Sequence, residues 1–193
     1  MSNKVILQDV EDSARFSLDR VTKLLSGIPN GVYRAVGSAF KRAAQHGLTV
    51  GMKIVSEEYA IGQNELKART KNINTITHGG PGSYEVRFGY RGSVIPLMQF
   101  DTRVDGSGRV TTRVLRSSAR ERLDHAFAAH MGGHTGIYER ISESRFPVQE
   151  LFGPSAVQAF YAHEETVDKM DEEVLKVYDE RIEHEITRLL NGW

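Results

Sequence analysis

The sequence predicts an α+β fold with two N-terminal helices, a central antiparallel sheet and a long C-terminal amphipathic helix. Three observations predict it. Through Val55, apolar residues recur at spacings of three and four, the period of a helix with one buried face. From Asn72 to Ile141 the chain is rich in β-branched and aromatic residues and is punctuated by glycine-rich turns. From Val167 to Leu189 the helical period returns opposite a strongly acidic face. Helices, then strands, then a helix is the order of an α+β domain.

Each element follows from local signals. Asp9 can cap a first helix carrying Val10, Ala14, Leu18, Val21 and Leu25, which Ser26-Gly27-Ile28-Pro29 ends. Asn30 can cap a second with Val32, Val36, Phe40, Ala43, Leu48 and Val55. Gly37, Gly47 and Gly51 weaken that helix, so either another element packs closely there or it breaks near Gly47. Expected strands are Ile73–Thr77, Tyr84–Tyr90, Val94–Thr102, Arg109–Arg116, Ala126–His130 and Thr135–Ile141, with Asp105–Gly108 as a hairpin tip. Ser117–Asp124 is expected to be a turn or short helix. The connector FPVQELFGPS, Phe146 to Ser155, precedes a short helix capped by Ser155 and running to Tyr161. The last helix carries Val167, Met170, Val174, Val177, Ile182, Ile186 and Leu189 on one stripe. We divide the chain into a core domain over residues 1–145 and a connector with a helical arm over 146–193, forming one folding unit.

Hydrophobic residues make up 39% of the chain and charged residues 26%, enough apolar material for a core. The absence of cysteine excludes disulfides, thiolate metal sites and a catalytic thiol. The opening MSNKVILQDVEDSARF has acids directly after a short apolar run, the wrong pattern for a signal peptide, and no stretch is long enough to span a membrane. A soluble chain made in the cytosol is expected. Twenty-five basic residues balance twenty-five acids, yet they are segregated. Glu65 to Arg122 holds eleven basic residues and five acids, a net +6; His163 to Leu190 holds ten acids and four basic residues, a net −6.

No catalytic, cofactor or metal site is expected. His125, His130 and His134 cluster in HAFAAHMGGH, but Gly132-Gly133 interrupts the helix that an i,i+4 zinc pair requires and no glutamate completes the pattern. The expectation is a turn between two strands with surface histidines. His163-Glu164-Glu165 and Glu183-His184-Glu185 lie on the acidic helix and are expected to be a solvated face. Ser117, Ser118 and Ser155 lack a nucleophile elbow, and GGPG at Gly79–Gly82 lacks the lysine of a phosphate-binding loop. Arginines between Arg87 and Arg122, interleaved with Tyr84, Phe88, Tyr90 and Phe100, fit a nucleic-acid-binding module, but alternation in a one-sided sheet gives the same composition with aromatics inward. The core reading is preferred.

The C-terminal third resembles the minor tail protein Z family, the tail-completion proteins of lambda-like phages and many prophages. Gly133-His134-Thr135-Gly136-Ile137-Tyr138-Glu139-Arg140, Arg145-Phe146-Pro147-Val148 and Glu150-Leu151-Phe152-Gly153-Pro154-Ser155 carry the resemblance, followed by the helix ending in Glu183-His184-Glu185-Ile186. A weaker similarity lies in the two N-terminal helices before Glu57-Glu58-Tyr59 and in Ile95-Pro96-Leu97 with Phe100. The resemblance implies a structural, non-enzymatic virion protein at the head-proximal end of the tail, assembled in the host bacterial cytoplasm. Its partners would be copies of itself and the tail terminator, tail tube or head–tail connector. Lambda's own member is basic whereas this chain is neutral with an acidic last helix, a departure that weighs against direct DNA contact.

A basic sheet and an acidic helix can pair head to tail between subunits, and such contacts close into rings; a sixfold tail would imply a hexamer. The same charges can also pair within one chain or face water separately. On the ring reading, Arg113 and Arg116 contribute the basic side and Asp171 and Glu172 the acidic side. Phe146, Pro147, Leu151 and Phe152 are expected to anchor the last helix or a neighbouring subunit, the last helix first.

Overall fold

A computed structural model describes the backbone of residues 20–80 and 83–192, and the side chains of these residues other than 74–80 and 83–88. The fold is α+β. The expected cap at Asp9 and the first helix up to Leu18 lie outside the described residues. The helices are α1 (Gly31–Glu58), α2 (Gln63–Ala68), α3 (Ala156–Tyr161) and α4 (Glu164–Leu190). The strands are β1 (Thr70–Gly80), β2 (Ser83–Gly92), β3 (Ile95–Pro96), β4 (Asp101–Val104), β5 (Val110–Arg113), β6 (Glu121–Leu123), β7 (Ala126–Met131), β8 (His134–Arg140), β9 (Val148–Glu150) and β10 (Phe152–Gly153). Two compact units are interleaved along the chain, and neither ends at residue 145.

The first unit comprises the described parts of Met1–Gly51, Lys71–Arg91 and His163–Trp193. Residues 20–24 are helical and a turn leads to Asn30, whose φ of 55° is a left-handed conformation that asparagine tolerates. Helix α1 then runs unbroken through Gly47. Every fourth residue from Ala35 is small: Ala35, Ala39, Ala43, Gly47 and Gly51 are all buried. A ridge of small residues lets a second helix approach closely, and α4 does so. A Cβ on Gly47 would overlap Val174 Cγ2 and lie 3.0 Å from the Tyr90 hydroxyl, which donates to the Ala44 carbonyl at 2.9 Å. The Phe40 and Tyr178 rings stack with centroids 4.1 Å apart. Val21, Leu25, Val36, Val174, Ile182 and Leu189 complete this core.

The second unit comprises Met52–Thr70 and Gly92–Ala162. Instead of one sheet, the described strands form four small ones, of which β1 and β2 make a separate pair. The expected strand Val94–Thr102 is interrupted: β3 is followed at Pro96 by a 3₁₀ turn, Leu97–Gln99, before β4 begins. Proline fixes φ and cannot donate to a ladder, which accounts for the break. Within Ser117–Asp124, residues Glu121–Leu123 are not turn or helix but β6, paired antiparallel with β5. The connector also forms strands, β9 beside β8 and β10 beside β3.

Turn chemistry places the hairpins. At the tip between β4 and β5, the Asp105 carboxylate accepts from the Ser107 N–H at 2.8 Å, the Ser107 hydroxyl at 2.6 Å and the Arg109 N–H at 3.0 Å, and Gly108 takes φ 82°. The Ser107 hydrogen bond is the main cause of an Asp105 pKa below its ordinary value. Gly132 and Gly133, at φ 61° and 84°, make the two-residue loop between β7 and β8, a twist that left-handed residues supply. Ser155 caps α3 through a capping box: its hydroxyl accepts from Gln158 N–H at 3.1 Å, and Gln158 Oε1 accepts from Ser155 N–H at 2.8 Å. Gly153 lies against Phe100, where a Cβ would sit 2.5 Å from Cε2.

Gly47→Ala gains about 1 kcal/mol of helix propensity but drives a methyl group into Val174, and overpacking costs about 1–3 kcal/mol. Both Gly47→Ala and Gly47→Val are expected to lower the urea midpoint, the valine more. A midpoint unchanged in Gly47→Val would show that the two helices are not in close contact there.

Candidate interaction surface

The arginine-rich segment acquires two sides through strand register. Asp101 faces Arg113, and Arg103 faces Thr111, which in turn faces Arg122. Alternation therefore puts Asp101, Arg103, Thr111, Arg113 and Arg122 on one side of the β4–β5–β6 sheet, with Thr102, Val110, Thr112 and Leu123 on the other. Val110 and Thr112 are buried, so the latter is the core side. There the Thr102 hydroxyl donates to the Leu97 carbonyl at 2.6 Å and meets the Thr112 hydroxyl at 2.9 Å. Arg109, two residues before Thr111 and joined to Asp105 by the last backbone hydrogen bond of the hairpin, extends the arginine side.

Three guanidinium groups share the Asp101 carboxylate. Arg120 lies 2.5 Å away, Arg113 2.8 Å and Arg103 3.7 Å, and Arg120 also donates to the Asp101 carbonyl at 2.7 Å. The Arg120 hydrogen bond, outweighing partial burial, holds the Asp101 carboxyl below the usual carboxylate range. One carboxylate cannot neutralise three arginines, so the face remains positive, with the Arg103 side chain 74% exposed. Of the two arginines expected at an interface, Arg113 is therefore ion-paired, and Arg116 is exposed with its Nε donating to the Ser56 carbonyl at 3.1 Å.

Tyr90 and Phe100 are buried, so neither offers a stacking face to nucleic acid; the Tyr84 and Phe88 side chains lie outside the described residues. His130 and His134 lie exposed on the β7–β8 hairpin as expected, and His125 lies exposed in the turn before β7. His130 lies 3.2 Å from the Thr135 hydroxyl, and His134 Nε2 lies 2.8 Å from Glu150 Oε1 across Gly136, where a Cβ would be 2.5 Å from that oxygen. Among the described residues, no group of three or more His, Asp or Glu side chains is arranged to hold a metal, and no helix is long and apolar enough to cross a membrane.

Within the connector, Phe146 is 62% exposed and Phe152 48%; Pro147 is also exposed and Leu151 half-buried. The two phenylalanines leave large apolar faces exposed. Arg145 lies over the Phe146 ring at 5.7 Å. Exposure could not be read from the sequence because apolar residues beside proline suit a core as well as a surface.

On α4, Glu164, Glu165, Asp168, Glu172 and Glu183 are exposed. Glu183 pairs with Arg20 at 2.5 Å, and His46 lies 3.2 Å from Glu173. Glu185 corrects the expectation of a solvated face, since it is only 1% exposed. Arg188 binds it at 2.7 Å and Arg42 lies 3.9 Å away. Burial by itself would raise the Glu185 pKa, but hydrogen bonds from Arg188 and Ser38, with the charges of Arg188 and Arg42, outweigh it and hold the carboxyl below its ordinary value. Asp171 is half-buried, and burial with the neighbouring Asp168 charge pushes its pKa up to about 7.

No family model, no curated protein and no solved structure matches the chain.

Two stability predictions follow from these acids. Asp171 binds its proton more tightly folded than unfolded, so its ionisation removes stability as pH rises from about 4 to about 7. Asp171→Asn is therefore expected to raise the melting temperature at about pH 8 and to leave it unchanged at about pH 4; equal effects at both would refute the assignment. Glu185→Ala is expected to lose about 1.5–3 kcal/mol at neutral pH, the scale of hydrogen bonds to a charged group. Because the folded pKa is depressed, that contribution is present above the unfolded value and disappears as pH falls through the folded one. Denaturant titration at several pH values measures it.

Proposed function

We propose that the chain is a structural component of a tailed-phage particle that completes the head-proximal end of the tail, as a tail-completion or neck protein, and works as an oligomeric ring. The observation that carries this reading is the ordered set of residues from Gly133 to Ser155, which resembles the minor tail protein Z family; the exposure of its two connector phenylalanines is compatible with an assembly role. Exposed aromatic side chains are enriched at the apolar centres of protein interfaces. The capping box at Ser155 and the close seat of Gly153 on Phe100 give the connector a defined shape on which to present them.

The proposed partners are other copies of the chain and the tail terminator, tail tube or head–tail connector. The proposed location is the virion, after assembly in the bacterial cytoplasm. The role needs no catalysis and no cofactor.

Deletion of the gene from its phage or prophage is expected to yield separate heads and tails without infectious particles, and the wild-type chain supplied from a plasmid is expected to restore joining. Phe146→Ser with Phe152→Ser is expected to leave thermal stability within about 0.5 kcal/mol, as for surface changes generally, while failing to restore joining. Particle counts by electron microscopy and plaque titre read both. Normal titre after deletion would refute the role; normal titre with the double variant would remove the phenylalanines from it.

A further inference from the structure

We infer that the arginine side of the β4–β5–β6 sheet is a docking face for the first turns of α4 in a second copy of this chain. This deepens the ring reading above and rests on it for its biological setting, but its geometry stands on the charge pattern alone.

Arg103 and Arg122 lie in one row across three strands, so their backbones are about 10 Å apart, and Arg109 lies about 7 Å along β5 from that row. All three are exposed, Arg122 with Asp124 beside it at 2.7 Å, and together they form a triangle of cations on one side of the sheet. On α4, Glu164, Asp168 and Glu172 recur every four residues and are all exposed. At 100° per residue they fall within an arc of about 80°, and at 1.5 Å per residue they span about 12 Å. The two arrays match in sign and in length.

The charge pattern favours this occupant over nucleic acid. The two described aromatics of the segment are buried and unavailable for stacking. A sheet face on one copy and a helix on the next are different surfaces, so the contact is heterologous and can propagate around a closed ring. Screening over a Debye length of about 10 Å at 0.1 M salt makes such an assembly salt-sensitive.

The test is a charge swap read by sedimentation velocity at low salt. One variant carries Arg103→Glu, Arg109→Glu and Arg122→Glu, and the other Glu164→Lys, Asp168→Lys and Glu172→Lys; circular dichroism and melting temperature confirm that each is folded. Each variant alone is expected to associate at least about tenfold more weakly than wild type, because like charges then face each other. An equimolar mixture of the two is expected to recover association, since each acidic array then meets a basic one on a different chain. Arg103→Gln, Arg109→Gln and Arg122→Gln, which remove charge without reversing it, are expected to weaken association stepwise.

A wild-type chain that is monomeric at every protein and salt concentration overturns the contact. So does a mixture that recovers nothing, which would leave the charges to pairing within one chain or to solvation. Binding of a fluorescent DNA duplex that is abolished by the arginine reversals, with self-association unchanged, also overturns it and assigns the face to nucleic acid. In each of these cases the deletion phage still decides the tail-completion role separately.

Discussion

The close approach of α1 and α4 is the constraint on which the first unit depends. Ala35, Ala39, Ala43 and Gly47 remove bulk from one ridge of α1, and Val174, Tyr178 and Ile182 fill the space from α4. Contact at that distance strengthens dispersion along the whole seam, since each atom pair contributes little and many are made. It also fixes the rotation of α4 about its axis. Once Val174 and Tyr178 point at α1, the exposed positions of the helix are set, and the acids at Glu164, Asp168 and Glu172 are held away from the core. Glu185 is the exception that the packing tolerates, because Arg188 and Arg42 supply its counter-charge.

The second unit sorts its charges by a different device. A strand alternates its side chains between two sides, and pairing in register makes the alternation add up across neighbouring strands. In β4, β5 and β6 that addition collects arginines on one side while Val110 and Thr112 enter the core on the other. Asp101 ties the centre of the arginine side together through Arg113 and Arg120, leaving Arg103 and Arg109 at its margin. The net charge of the chain is zero, yet its surface carries fields of both signs, which is the condition for attraction between copies without general attraction to polyanions.

The connector joins this sheet chemistry to the proposed assembly role. Its strands are short and its apolar residues divide between burial and exposure: Gly153 fits beneath Phe100, whereas Phe146 and Phe152 face water. The short helix after it begins at a complete capping box, so the segment is rigid where it leaves the sheet. A rigid segment presenting aromatics loses little side-chain entropy on binding, which favours it as a docking element.

The sequence by itself determined the fold class, the hairpin tip at Asp105–Gly108, the glycine turn between the histidine-bearing strands and the cap at Ser155. Each depends on interactions among residues a few positions apart, for which the local sequence is the whole environment. It also determined that charge is segregated and that Gly47 is either a break or a close contact. The tertiary structure alone decided between those two, because the outcome rests on Val174, more than a hundred residues away. It likewise decided that Glu185 is buried while Glu183 is not, since the two-residue step between them turns a helix by about 200°, from a solvated side to the core. It placed Phe146 and Phe152 outside and split the expected sheet into smaller ones, because strand pairing and exposure depend on which distant segments arrive as neighbours, information that no short window of sequence contains.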